Sequence, residues 1–76
     1  MSYKEKVNGE LVAKGNSNWN YYSHFFKDGS KAVFALAKEG SGASDCIFGS
    51  FKYFKRYLKS EYNDVTLTEY GKTLFE

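Results

Sequence analysis

The chain has 76 residues, with 11 basic and 9 acidic side chains for a net charge of +2. That length makes one domain, and a chain of this size buries only about 60% of its unfolded surface. A charge so near balance is less lopsided than a typical nucleic-acid binder's, and one cysteine rules out an intrachain disulfide. Seven Phe, seven Tyr and one Trp make up 20% of the chain. So much apolar content at so little net charge excludes disorder, and it exceeds the needs of one small core, so some rings are expected at the surface. No apolar run approaches the length of a membrane span, so no membrane partner is expected. The lone cysteine and the lack of a secretory signal point to a cytoplasmic setting.

Residues 1–6 are polar. Asn8-Gly9 is the residue pair of a type I′ hairpin turn, because both tolerate positive φ. It predicts pairing of residues 3–7 with residues 10–14, the first arm being suited to an edge by Lys4, Glu5 and Lys6. Gly15, Asn16, Ser17 and Asn18 form a loop by composition. Residues 19–26, WNYYSHFF, predict a strand from their aromatic content. A turn centred on Asp28-Gly29 follows, and residues 31–37, KAVFALA, return as the next strand.

A two-residue loop at Asp28-Gly29 would pair Phe26 with Lys31 and Ser23 with Phe34. Cross-strand partners share a face. One face then carries Trp19, Tyr21, Phe25, Ala32, Phe34 and Leu36. The other carries Tyr22, His24, Phe26, Lys31, Val33 and Ala35. A helix is expected over the first, more apolar face. The second is expected to be covered by another segment, to mediate a homo-oligomer, or to present Tyr22, His24 and Phe26 as a contact patch.

Residues 45–62, DCIFGSFKYFKRYLKSEY, show the one sustained helical period. At about 100° per residue, Ile47, Phe51, Phe54, Tyr57, Leu58 and Tyr62 share an arc. Lys52, Lys55, Arg56 and Lys59 share the neighbouring one. Ser44 or Asp45 is the expected N-cap, after a Gly40–Ser44 loop that breaks the preceding element. This segment holds four basic and two acidic groups, so the whole formal excess of the chain sits on it. Asn63-Asp64 marks a turn. Residues 65–68 alternate with period two and predict a further strand, and Thr68 is placed to cap a short terminal helix that Gly71 weakens.

The chemistry of catalysis has little to draw on. His24 and Cys46 are the only histidine and cysteine. A cysteine near a helix N-terminus would have a lowered thiol pKa, but Cys46 falls off the apolar arc and His24 reads as a strand side chain. No CxxC or HxxxH spacing supplies a metal set, and the acids lack calcium-loop spacing. The Gly40–Ser44 loop lacks the Gly-Lys-Ser/Thr of a nucleotide-binding loop. No catalytic residue, cofactor or metal is expected.

Three strands followed by a helix, with Trp19-x-Tyr21 and the Asp28-Gly29 turn, resemble the small sheet-based DNA-binding domain at the N-terminus of some phage-type integrases, over about half the chain. Leu67–Leu74 resembles the wing-to-helix junction of some winged-helix regulators, a family that needs helices upstream where this chain reads as strands. In length and makeup the chain is similar to small phage-encoded inhibitors of host machinery, such as anti-CRISPR proteins.

The expected fold is α+β: an antiparallel sheet of three to four strands with one amphipathic helix on one face and an added C-terminal strand. The expected function is that of a small non-catalytic binding module, directed at a protein and of the inhibitor type. Nucleic acid is the alternative partner, met by the helix stripe and by base stacking on the sheet. The expected contact residues are Tyr22, His24, Phe26, Lys31, Lys52, Lys55, Arg56 and Lys59.

Overall fold

The computed structural model describes residues 7–15, 18–60 and 65–76. They form an antiparallel sheet of five strands, β1 (Leu11–Gly15), β2 (Trp19–Phe25), β3 (Lys31–Ala37), β4 (Cys46–Phe48) and β5 (Val65–Leu67). Two helices complete the fold, α1 (Phe51–Leu58) and α2 (Glu69–Phe75). The strand order is β4-β3-β2-β1-β5. The α+β class, the helix packed on one face and the C-terminal edge strand all match the expectation from sequence.

The β2–β3 register departs from that expectation by one residue. Phe25 pairs with Lys31, Tyr22 with Phe34 and Ser23 with Val33. The cause is a three-residue loop. Phe26 N donates to Ser30 O at 2.9 Å and Gly29 N donates to Phe26 O at 3.1 Å. Gly29 takes φ 91°, the left-handed residue such a loop requires. Asp28 Oδ1 braces the loop, accepting from Ser30 N at 2.9 Å and from Ser30 Oγ at 2.6 Å. A one-residue slip moves every side chain of one strand to the other face relative to its partner. Val33 and Ala35 therefore join Tyr21 on the helix side, and Ala32, Phe34 and Leu36 join Tyr22 on the other.

The main core lies between the sheet and both helices. Val12, Ala13, Tyr21, Val33, Ala35, Phe54 and Phe75 are buried there. A bulge between Leu11 and Ala13 shifts the register of β1 against β2; it lets Val12 join Ala13 in this core. Phe51 and Phe54 of α1 meet Phe75 of α2 at ring distances of 5.0 and 5.1 Å, which ties the helices together. Thr68 caps α2 as expected, accepting from Gly71 N at 3.1 Å. Thr68 also pins the helix to β1, donating from N to Val12 O at 3.0 Å and from Oγ1 to Leu11 O at 2.8 Å.

Two local expectations need correction. Neither Asn8 nor Gly9 has positive φ, so they form no type I′ turn. Asn8 instead clips the end of β2: its Nδ2 donates to Phe25 O at 2.8 Å and its Oδ1 accepts from Phe25 N at 2.9 Å. The predicted first arm lies largely outside the described residues. The helix expected over residues 45–62 begins only after Ser50, whose hydroxyl accepts from Tyr53 N at 3.1 Å. Asp45 is no cap, because its carboxylate accepts from Ala37 N at 2.7 Å. That bond holds the chain beside β3, and Cys46–Phe48 pairs as an edge strand. The Gly40–Ser44 loop thus feeds a strand. Tyr62 and the Asn63-Asp64 turn lie outside the described residues.

Candidate binding surface

Eight residues make a helix too short to stand alone, so α1 depends on its packing. Phe54 is fully buried, and Phe51 and Leu58 are half-buried against the core. Around the helical wheel, Tyr53 and Tyr57 follow Phe54 on the flank toward β4. Their rings lie 6.0 and 5.2 Å from that of Phe48. Arg56 comes next, then Lys52 and Lys59, and Lys55 closes the circle toward Phe51. Tyr53 is 60% exposed, and all four basic residues are exposed.

The stripe predicted from sequence is therefore real and faces solvent. The segment Phe51–Leu58 carries no acid, and Lys55 and Arg56 in its last turn complement the helix dipole. Among the described residues the one ion pair is Lys72–Glu69 at 3.8 Å, so none of Lys52, Lys55, Arg56 and Lys59 is in an ion pair there. Tyr53, Arg56 and Tyr57 line a hollow of about 250 Å³.

The other predicted contact residues do not gather with the stripe. Tyr22 and His24 lie half-buried on the sheet face away from the helices. The His24 ring stacks on Phe34 at 4.6 Å and meets Phe26 edge-on at 4.7 Å. Asn8 N donates to His24 Nδ1 at 3.3 Å. Ala32, Phe34 and Leu36 are buried beneath, with Val7 packed against them, so this side is not an open apolar patch. Phe26 is the exposed member, at 42%. The sequence predicts Lys31 beside them, but the register places it on the helix side, with Nζ 5.8 Å from the centre of the Phe51 ring.

The registers also separate the two candidate catalytic side chains. His24 pairs with Ala32, on the face away from the helices, while Cys46 pairs with Ala35, on the face they cover. They lie on opposite sides of the sheet and form no nucleophile–base pair. Partial burial, and after it the charge of Asp45, push the exposed Cys46 thiol above its ordinary pKa, against reactivity. Among the described residues no group of His, Cys, Asp and Glu is arranged to hold a metal ion, and no helix is long and apolar enough to cross a membrane.

Sequence reasoning missed Tyr53 and the β4 edge. Tyr53 lies off the apolar arc, directly beside Arg56, and an off-arc aromatic next to an arginine is the signal that would have found it. Fold and surface together define a small α+β module, a five-stranded antiparallel sheet under two helices, with four exposed basic side chains on the outer side of α1 and at its C-cap. No protein-family model, curated protein or solved structure matches the chain, so the resemblances noted in the sequence rest on pattern alone.

Proposed function

We propose that this protein is a small non-catalytic binding module that works by occupying the surface of another macromolecule through the outer side of α1. The observation that carries this reading is Tyr53, 60% exposed beside four exposed basic side chains that have no acidic partner among the described residues. Holding four like charges on so short a helix costs stability through repulsion between neighbours three and four apart. A partner that neutralises them recovers that cost. Tyrosine and arginine are the residue types that dominate protein interfaces.

A protein partner fits this surface better than nucleic acid. From Lys52 to Lys59 the stripe is about 10 Å long at roughly 1.5 Å per residue. Outside residues 45–62 the acidic and basic groups are equal in number. That footprint spans only a few phosphates, while it matches an acidic patch beside an aromatic contact.

Affinity capture from cell extract tests the proposal, using the tagged full chain beside Tyr53→Ala and Arg56→Glu. Far-UV circular dichroism of each variant should match the parent, since both side chains are exposed. The expected result is a protein retained by the parent and lost with both variants, with retention that weakens as salt rises but less steeply than that of a nucleic acid. Retention unchanged in both variants would refute the role of α1. Retention of nucleic acid that collapses steeply with salt would transfer the reading to a phosphate binder.

A further inference from the structure

The strand beside α1 narrows the kind of partner. In an antiparallel ladder, alternate residues point their N–H and C=O toward alternate neighbours. Phe26 N donates to Ser30 O, and Lys38 N donates to Asn18 O at 2.7 Å. The even-numbered residues of β3 therefore bond toward β2. The odd-numbered ones bond toward β4, which agrees with the Ala37 N donation to Asp45. The facing pairs Val33–Phe48 and Ala35–Cys46 are then the bonded pairs of β3 and β4. Ile47, between them, points its N–H and C=O away from the sheet. β4 is the last strand on this side, and among the described residues nothing pairs with that edge. The Ile47 side chain is 45% exposed.

This free edge runs beside the hollow of Tyr53, Arg56 and Tyr57, because both tyrosine rings abut Phe48 of the same strand. An unpaired strand edge next to a helix wall is the setting in which an extended peptide adds as a further strand. Main-chain bonds to the edge supply affinity, and the wall selects side chains. Here the wall is basic: Arg56 presents a planar donor fork suited to a carboxylate, with Lys52 and Lys59 next to it on the wheel.

Resting on the reading of α1 as a binding surface, we propose that the β4 edge and the Tyr53–Arg56–Tyr57 wall form a groove for an extended, acidic peptide segment of a protein partner. The peptide pairs with the Ile47 N–H and C=O and sets a carboxylate on Arg56. A nucleic acid or a helical partner has no use for the Ile47 backbone.

The probe is a fluorescein-labelled peptide of alternating glutamate and valine, EVEVEVE, with the lysine analogue KVKVKVK and oligo(dT) as comparisons. Fluorescence anisotropy measures binding to the full chain, and amide hydrogen exchange follows Ile47. The expected result is saturable binding of EVEVEVE alone, with slower exchange at Ile47. Arg56→Glu should weaken it by about tenfold or more, as expected for loss and reversal of a charge-assisted contact. Ile47→Pro removes the outward donor, leaves the bonded pairs of β4 in place, and should weaken it comparably. If Ile47→Pro does not fold, exchange at Ile47 and the Arg56→Glu variant decide. Failure of EVEVEVE to bind, binding indifferent to Arg56→Glu, or unchanged exchange at Ile47 each overturns the groove. Tighter binding of oligo(dT) than of EVEVEVE overturns it as well. A partner captured from extract and still lost with Tyr53→Ala would then leave the binding-module reading standing without the groove.

Discussion

Replacing Gly71 by alanine sets two physical rules against each other. Gly71 lies within α2, where alanine is favoured over glycine by about 1 kcal/mol of helix propensity. Local reasoning therefore expects a more stable protein. Tertiary structure predicts the reverse. A Cβ at Gly71 would run into the carbonyl oxygen of Val12, and Leu67 Cδ2 stands 3.2 Å away. That carbonyl already accepts from Thr68 N at 3.0 Å, and Thr68 Oγ1 donates to Leu11 O at 2.8 Å. Making room means lifting the start of α2 off β1. Both Thr68 bonds are stretched, at about 1 kcal/mol each. Phe75, 5% exposed at the far end of α2, loses part of its packing against Phe51 and Phe54.

After subtracting the propensity gain, a net loss of about 2–3 kcal/mol is expected, of the size usual for overpacking. For a domain this small, that lowers the melting temperature by roughly 10–20 °C. Urea and thermal unfolding followed by far-UV circular dichroism measure it. Gly49→Ala is the control. A methyl at Gly49 would meet no heavy atom within 4 Å, and its φ is not positive, so this variant should unfold within about 1 kcal/mol of the parent. A Gly71→Ala protein as stable as the parent, or more so, would refute the close docking of α2 on β1.

Phe54→Ala removes a fully buried ring that touches Tyr21, Phe48 and Phe75 at 5.3, 5.2 and 5.1 Å between centroids. It should cost about 3–5 kcal/mol. A chain of this length holds only about 4–11 kcal/mol in all, so near-UV circular dichroism should show much of the tertiary signal lost. The hairpin loop predicts a pH effect: hydrogen bonds from the Ser30 hydroxyl and then the Ser30 backbone hold the Asp28 carboxyl below its ordinary 3.8. A depressed acid contributes stability above its unfolded pKa and loses it as pH falls through the folded value. The stability gap between the parent and Asp28→Asn should therefore be constant above about pH 5 and narrow on further acidification; a gap that does not narrow as pH falls refutes the bracing role.

Much of this fold is legible in the residues, and the failures have identifiable causes. Phe51, Phe54 and Leu58 mark the covered face of α1 by their spacing, and alternation at Val65–Leu67 marks β5. The Thr68 cap is legible too, whereas the reason for Gly71 lies across the fold at Val12. The β2–β3 register is not, because Asp28-Gly29 serves two loop lengths equally well: a left-handed glycine is needed in both. Which loop forms is decided by packing, since only the longer one puts Val33 and Ala35 beneath α1. The start of α1 is misplaced by periodicity because Ile47 stands four residues before Phe51 and completes a helical period. Ser44, Asp45 and Ser50 are all capable caps. The Ala37 N–H, distant in sequence, takes Asp45 for the sheet and leaves Ser50 to begin the helix. The basic stripe is readable because exposure follows from periodicity. The β4 edge is not, because it exists only once the segment is known to be a strand.

Core and contact duties are divided around α1, and the division determines which substitutions report on which property. Phe51, Phe54 and Leu58 hold the helix down, while Lys52, Arg56 and Lys59 are exposed. Charge reversals on the outer arc should therefore change recognition while moving stability only by the relieved repulsion, about 0.2–0.5 kcal/mol per neighbouring pair. Tyr57 belongs to both sets: its ring lies 5.2 Å from Phe48 and 6.3 Å from Phe54, and it also lines the hollow. Truncating it would mix a packing loss with a binding loss. Tyr57→Phe keeps the ring contacts and deletes only the hydroxyl, so a change in peptide affinity at unchanged unfolding midpoint assigns that oxygen to the groove. A fall in the midpoint would instead place the hydroxyl among the bonds that hold α1 to the sheet.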